Sequence, residues 1–149
     1  MTYSDTSFLC SLYVAQSTSA RALSFMQTQL TALISTSLLF YEFRQSVQFQ
    51  VFRHSKDATQ GYPMAAAQTA LSILQANISA GVFRQGQVEW ADVHKIAERL
   101  AFKHTAKGGH RSFDVLHVAT ALHLGVTEFL TFDGNQKKLA EAEGLVVPV

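Results

Sequence analysis

Cysteine, charge and long apolar runs are all scarce in this sequence of 149 residues. Its single cysteine, Cys10, excludes an internal disulfide and a zinc site built from cysteines. No apolar run approaches the roughly 20 residues that a membrane-spanning helix needs, which excludes a chain that spans a bilayer. Only 15% of the residues are charged and 48% are hydrophobic, which excludes a disordered or tail-like protein and indicates a globular chain with a sizeable core.

The charges that are present almost cancel. Twelve Lys and Arg against 11 Asp and Glu leave a net charge of +1, which predicts no strong general attraction to polyanions. The apolar segment 8–15 resembles the core of a signal peptide. However, no Lys or Arg precedes it, and Asp5 stands where a signal peptide carries positive charge. We therefore expect a cytoplasmic protein.

The order of apolar patterns predicts one α/β domain over residues 1–149, in which helices alternate with short strands of a largely parallel sheet. Short strands are predicted at 2–4, 82–89, 126–132 and 145–147. Helices are predicted at 8–14, 23–33, 38–53, from Pro63 to 78, and at 90–103, 113–124 and 135–143. No repeat, low-complexity tract or linker divides the chain.

Acidic residues are few enough for their positions to be informative. Asp5 follows the first predicted strand, Asp133 follows the strand that ends at residue 132, and Asp114 lies at the start of a helix. Ligands of open parallel sheets bind beyond the carboxyl ends of the strands, where loops and helix N-termini meet. These three carboxylates are therefore candidates to converge. Glu42 differs from them because it lies inside the apolar run 38–43.

Converging carboxylates repel one another unless a cation neutralises them, and oxygen-only ligands suit Mg²⁺ or Mn²⁺. A cation held in this way activates water and stabilises charge on a phosphoryl oxygen, so the pattern points to phosphodiester hydrolysis. The alternative is structural, with Asp5 and Asp114 as helix N-caps and Asp133-Gly134 as a turn. The spacing alone does not decide between the two.

Four acids in particular contexts resemble the PIN-domain nucleases, and above all the VapC-type toxins of bacterial type II toxin–antitoxin modules. The matching pieces are the segment SDTSFL at 4–9, Glu42, the segment RSFDVLHVATA at 111–121, FLTFD at 129–133 and the tail from 136 to 145. The resemblance implies a three-layer domain with a central parallel five-stranded sheet. It also implies a metal-dependent endoribonuclease that uses Mg²⁺ or Mn²⁺, with catalytic and metal-binding residues Asp5, Glu42, Asp114 and Asp133.

The resemblance further implies that Ser7 and Thr131 support this quartet, that RNA is the substrate, and that the partners are a cognate antitoxin and a second copy of the chain. Lys103, Lys107, His110 and Arg111 lie in a stretch without acids before Asp114. They are candidates to contact RNA, or alternatively a solvated helix end and loop. His117 is either a partner of the site or a core histidine, and the second interpretation is favoured.

Two other functions stay open at this stage. One is a PIN-like module without catalytic activity that binds RNA or protein, and the other is a stand-alone RNA-processing nuclease without an antitoxin. The complete quartet favours catalysis over binding alone, because clustered carboxylates repel RNA unless a cation is present.

Overall fold

Four short parallel strands form the sheet at the centre of the fold. The structure is a computed structural model that describes residues 1–149. The order of the strands across the sheet is β3-β2-β1-β4, and every neighbouring pair is parallel. The strands are β1 (Thr2–Ser4), β2 (Leu33–Ser35), β3 (Phe83–Gln85) and β4 (Glu128–Leu130).

Eight α-helices and one π-helical turn connect these strands. The helices α1, α3 and α4 pack together, whereas α5 and α8 pack against α7. None of the helices is long and apolar enough to cross a membrane. The helical segments are α1 (Thr6–Tyr13), α2 (Ser19–Thr28), α3 (Ser37–Lys56), α4 (Met64–Ser79), α5 (Trp90–Leu100), the π-helical turn (Ala101–Thr105), α6 (Ala106–Gly108), α7 (Ser112–His123) and α8 (Gly134–Ala142).

The topology creates a switch point beside β1. From β1 the chain moves outward to β2 and then β3, and it returns past β1 to form β4 on the other side. Because crossovers between parallel strands are right-handed, the reversal of direction puts the helices that precede β4 on the face opposite to those that follow β1. Ligands of such sheets bind at the carboxyl ends of the strands next to this reversal. The ends of β1 and β4 are therefore the expected place for a site.

The sheet has four strands, so the expectation of five is wrong. Residues 145–147, predicted as the last strand, form only an isolated parallel bridge between Val146 and Glu128. The Phe129 N–H donates to the Val146 carbonyl at 2.9 Å, and the Val146 N–H donates to the Thr127 carbonyl at 3.0 Å. Pro148 follows at once and has no N–H to continue the ladder, which explains why the pairing stops there.

The strand β2 was not predicted, because its first residue completes a helical spacing. Leu23, Met26, Leu30 and Leu33 recur at intervals of three and four, which predicts a helix through residue 33. The helix α2 instead ends at Thr28, and Leu30 is 96% exposed. The three residues of β2 are all buried, as in a strand covered on both faces. Burial of consecutive residues, rather than of every third or fourth, marks this segment as a central strand.

Candidate active site

The four predicted acids come from four different parts of the chain and meet at the carboxyl edge of the sheet. Within the sheet Ser4 lies opposite Leu130, so β1 and β4 end at the same level. Asp5 follows the first of these strands directly, and Asp133 follows the second by three residues. All four acids line one pocket of about 210 Å³, whose lining is Asp5, Thr6, Ser7, Cys10, Glu42, Ser46, Arg111, Asp114, His117, Asp133 and Gln136.

Two of the acids also begin helices. Asp5 is the N-cap of α1, and its Oδ1 accepts a hydrogen bond from the Phe8 N–H at 2.9 Å. Asp133 is the N-cap of α8, and its Oδ1 accepts from the N–H groups of Asn135 at 2.8 Å and Gln136 at 2.9 Å. The structural alternative for Asp5 is thus correct and is compatible with a place in the pocket. A cap orients the carboxylate without excluding it from other contacts.

Asp5 is held from several sides. It is 2% exposed, and its Oδ2 accepts from the Thr131 hydroxyl at 2.6 Å. The Ser7 hydroxyl lies 2.8 and 2.9 Å from the two carboxylate oxygens and itself accepts from the Phe132 N–H at 2.8 Å. Both residues that the resemblance implies as supports therefore contact Asp5. Burial raises the pKa of Asp5 to about 6 despite these hydrogen bonds, because the buried carboxylate loses its solvation by water.

Glu42 is positioned by a chain of hydrogen bonds that starts at the N-cap of its own helix. Thr36 caps α3 by accepting from the Leu39 N–H at 3.3 Å, and the Thr36 hydroxyl lies 3.3 Å from the hydroxyl of Tyr3. The Tyr3 hydroxyl lies 2.8 Å from Nδ1 of His117, and Nε2 of His117 lies 2.6 Å from Oε2 of Glu42. Tyr3 and His117 are 0% and 1% exposed, so no solvent interrupts the chain.

The protons in this chain have a defined arrangement. Because an ionised carboxylate only accepts hydrogen bonds, the Nε2–H of His117 donates to Glu42. When the ring is neutral, its Nδ1 accepts from the Tyr3 hydroxyl, and that hydroxyl accepts from Thr36. Burial raises the pKa of Tyr3 above its ordinary value, so its hydroxyl keeps the proton that this arrangement needs.

The same contacts keep Glu42 ionised and leave one of its oxygens free. Burial acts to raise the pKa of Glu42, but the hydrogen bonds from His117 and Thr6 and the nearby positive charge together outweigh it, and the pKa falls below its ordinary value. Thr6 and His117 both donate to Oε2. No protein donor contacts Oε1, which is therefore the oxygen of Glu42 available to a ligand.

Arg111 contributes a positive charge to the pocket. Its Nε lies 3.2 Å from Oδ2 of Asp114 and its Nη2 lies 3.4 Å from Oδ2 of Asp133. In this arrangement no three Asp, Glu, His or Cys side chains are grouped so that they could hold a metal ion. The donors nevertheless fit Mg²⁺ or Mn²⁺ by their chemistry. They are carboxylate oxygens, and Oε1 of Glu42 and Oδ1 of Asp114 accept no hydrogen bond from the protein.

Lys103, predicted to contact RNA, does not line the pocket. It donates to Glu143 at 2.8 Å, and the same carboxylate pairs with Arg99 at 3.0 Å and with His104 at 2.7 Å. The Glu143 side chain is 6% exposed, and burial alone acts to raise its pKa. The hydrogen bonds from its three partners outweigh burial and lower the pKa to about 2. This cluster joins the end of α5 and the π-helical turn to the end of α8, which is a structural role.

Two further predicted contacts, Lys107 and His110, do not line the pocket either. The ring of His110 rests against Gly108, where a Cβ atom would lie 2.3 Å from its Nε2. Gly109 follows with a φ of +65°, a conformation that favours glycine. The two glycines therefore shape the loop that delivers Arg111 to the pocket.

The sequence did not reveal the hydrogen-bonded chain behind Glu42. His117 is buried, as the favoured core interpretation expects, and its Nε2 also contacts Glu42, so the residue has both of the roles that the sequence left open. Its position three residues after Asp114 was the available signal, because such residues share a helix face. Tyr3 and Thr36 gave no such signal. They contact each other across neighbouring strands, which only the folded sheet brings together.

Comparison with solved structures identifies a similar fold. The crystal structure of VapC20 from Mycobacterium tuberculosis, described as a toxin that cleaves the sarcin–ricin loop, is similar to 98% of this chain. The similarity covers 97% of that protein, with a TM-score of 0.67 and 20% sequence identity. No family model and no curated protein matches the sequence. This chain therefore has the PIN-like α/β fold of that toxin, with a parallel sheet of four strands flanked by helices.

Proposed function

We propose that this protein is a metal-dependent endoribonuclease that cleaves RNA phosphodiester bonds as the toxin of a toxin–antitoxin pair. The observation that carries the proposal is the meeting of Asp5, Glu42, Asp114 and Asp133 in one pocket at the carboxyl edge of the sheet. The fold shared with VapC20, described as cleaving the sarcin–ricin loop, supports RNA as the substrate class.

The cofactor we propose is Mg²⁺ or Mn²⁺. Asp5 and Asp114 would hold it, and Glu42 and Asp133 would complete the site directly or through water. When bound, such a cation lowers the pKa of water and stabilises the negative charge that develops on a phosphoryl oxygen. Its charge would also offset the loss of solvation that the buried carboxylate of Asp5 suffers.

The residues of the chain have separable roles in this proposal. Glu42 is ionised, and its free Oε1 would accept a hydrogen bond from the water that attacks phosphorus. Tyr3 and His117 fix the orientation of that carboxylate through its other oxygen. Ser7 and Thr131 fix Asp5, so the geometry of the site is set before substrate binds.

The partners we propose are an antitoxin and a second copy of the chain, both in the cytoplasm. The candidate contact surfaces are the apolar residues of α1, of α2 and of the segment that follows α2. Phe8 is fully buried and belongs to the core, whereas Leu23 and Leu30 are 51% and 96% exposed. Exposed leucines of this kind suit the apolar side of a partner helix or of a second protomer. Size-exclusion chromatography with light scattering, for the chain and for a Leu23→Ser variant, tests the homodimer.

Cleavage of RNA tests the function directly. Purified protein is incubated with a pool of tRNA, ribosomal RNA and messenger RNA in Mg²⁺, in Mn²⁺ and in EDTA. The variants are Asp5→Asn and Asp114→Asn, and the matched control is Asp92→Asn, which alters an exposed acid paired only with Lys95. Asparagine is a good N-cap, so Asp5→Asn should keep α1 intact, which thermal melting verifies.

We expect metal-dependent cleavage by the unaltered protein and by Asp92→Asn, and a loss of at least about 100-fold in the two site variants. Absence of cleavage by folded protein under every condition would overturn the nuclease and leave the binding-module alternative. Cleavage at an undiminished rate by Asp5→Asn would also overturn it, because the activity would then come from elsewhere.

A further inference from the structure

Arg111 is held at the candidate active site by the site's own acids. Its Nε donates to Oδ2 of Asp114 at 3.2 Å, and its Nη2 donates to Oδ2 of Asp133 at 3.4 Å. No other side chain or backbone carbonyl accepts from this guanidinium, and the side chain is 77% exposed. One flexible cation therefore bridges two acids that belong to different helices, α7 and the N-cap of α8.

The guanidinium of Arg111 occupies carboxylate oxygens that could otherwise contact a metal ion. Oδ1 of Asp133 is committed to the backbone of α8, so Oδ2 is the oxygen of that residue open to a cation. Oδ2 of Asp114 accepts from the backbone N–H of Arg111 as well as from its side chain. A divalent cation bound to the free Oδ1 of Asp114 and to Oδ2 of Asp133 would therefore compete with the guanidinium for the Asp133 oxygen. Two positive charges at one site repel, so binding of one disfavours the other.

We infer that Arg111 is an internal counter-cation of this site, which neutralises Asp114 and Asp133 while no divalent cation is bound and must swing out when one binds. The inference rests on the proposed metal-dependent function and adds a positioning residue to it. Its consequence is a lower affinity of the site for the metal ion. The site fills at a higher metal concentration than its four carboxylates alone would require, because the cation must displace the guanidinium from Asp133 and is repelled by its charge at Asp114.

The exposure of Arg111 makes this exchange easy. A side chain that is 77% exposed leaves its partners at a small cost in free energy, because water solvates the released guanidinium. Asp5 and Glu42 do not contact Arg111, so their positions need not change when it moves. The glycines at 108 and 109 shape the preceding loop without holding the side chain. The displaced guanidinium would lie at the rim of the pocket, where a phosphate of the substrate approaches.

Mn²⁺ binding measures the exchange without any catalytic readout. Free Mn²⁺ is titrated by electron paramagnetic resonance against the unaltered protein, Arg111→Gln and the matched control Arg44→Gln. Arg44 is an arginine that lies over the ring of Phe40, outside the acidic pocket. Removal of two exposed ion pairs predicts that Arg111→Gln binds Mn²⁺ about 10-fold more tightly, whereas Arg44→Gln is unchanged. The rise in melting temperature caused by Mn²⁺ should be larger for Arg111→Gln as well.

The outcomes separate this inference from the proposed function. Equal Mn²⁺ affinity for the unaltered protein and Arg111→Gln, or weaker binding by the variant, would overturn the counter-cation and leave the nuclease standing. No Mn²⁺ binding by either protein would overturn the metal-dependent function itself. Tighter binding by Arg44→Gln to the same extent would also count against the inference, because net charge alone would then explain the change.

Discussion

The hydroxyl of Tyr3 is a single atom whose removal tests how Glu42 is positioned. Tyr3→Phe keeps the buried ring, which lies 6.0 Å from the ring of Phe129 and 5.9 Å from that of His117. The substitution removes only the oxygen that joins Thr36 to His117. Packing is therefore preserved, and the effect reports on the hydrogen-bonded chain.

The expected cost follows from the burial of the atoms left behind. Tyr3→Phe leaves Nδ1 of His117 and the hydroxyl of Thr36 without the partner they had, in a region closed to solvent. A buried polar atom without a partner costs about 1–3 kcal/mol, and the removed hydroxyl no longer needs desolvation. We expect the free energy of unfolding to fall by about 2 kcal/mol.

The effect on activity has a different origin. Without the Tyr3 hydroxyl, the ring of His117 is free to reorient, and its Nε2–H no longer holds Oε2 of Glu42 in one direction. Misplacement of a reacting group by a fraction of an ångström costs about 10-fold in rate, which is the loss of RNA cleavage we expect.

The matched control is Tyr13→Phe. The Tyr13 hydroxyl also makes a hydrogen bond, accepting from Asn77 at 2.9 Å, but it does not line the pocket. Urea unfolding and RNA cleavage are measured for both variants under the same conditions. Tyr13→Phe should lose stability and keep its cleavage rate, whereas Tyr3→Phe should lose both. If the two variants cleave at the same rate, or if Tyr3→Phe unfolds like the unaltered protein, the proposed role of the chain is refuted.

Three further predictions concern stability. Glu143→Gln should lower the free energy of unfolding by about 1–2 kcal/mol at pH 7 by urea titration, a modest value because two partner cations are more than half exposed. Since the folded-state pKa of Glu143 is lowered to about 2, this difference should be full above pH 5 and vanish as the pH falls to 2, and a constant difference would contradict it. Asp5 has a raised pKa of about 6, so its ionised form destabilises the fold, and in EDTA the unaltered protein should lose stability between pH 4 and 6. Asp5→Asn should lack this loss, and parallel pH profiles for the two proteins would be evidence against the buried charge. Gly109→Ala puts a side chain at a φ of +65°, a conformation that L residues rarely adopt, so its melting temperature should fall, whereas Gly134→Ala, which has no positive φ and meets nothing within 4 Å, is the control.

Helices were easier to predict than strands, for a physical reason. A helix is stabilised within its own segment, so the apolar spacing at 90–103 predicted α5 and the adjoining π-helical turn closely. The strands contain three residues each, and a strand of that length is defined by its neighbours in the sheet. Residues 33–35 became β2 because β1 and β3 flank them, whereas residues 145–147 found only β4 on one side and a proline after them.

The sequence by itself determined which acids the site contains. Asp5 and Asp133 follow strands and begin helices, and both facts depend on nearby residues only. The resemblance to the PIN-domain nucleases implied Ser7 and Thr131 as supports for the acids, and both contact Asp5 in the structure. The helix caps can be predicted because the residues that decide them are close together in the chain, whereas Thr131 lies 126 residues from Asp5 and was identified by the resemblance alone.

The tertiary structure alone decided how those acids are held. Tyr3, Thr36 and His117 are up to 114 residues apart, yet they form one buried chain to Glu42. Arg111 contacts Asp133, which is 22 residues further along the chain, and Lys103 pairs with Glu143, which is 40 residues further along. Hydrogen bonds and ion pairs depend on distance in space, and at these separations the distance is set by how the sheet orders its strands and packs its helices.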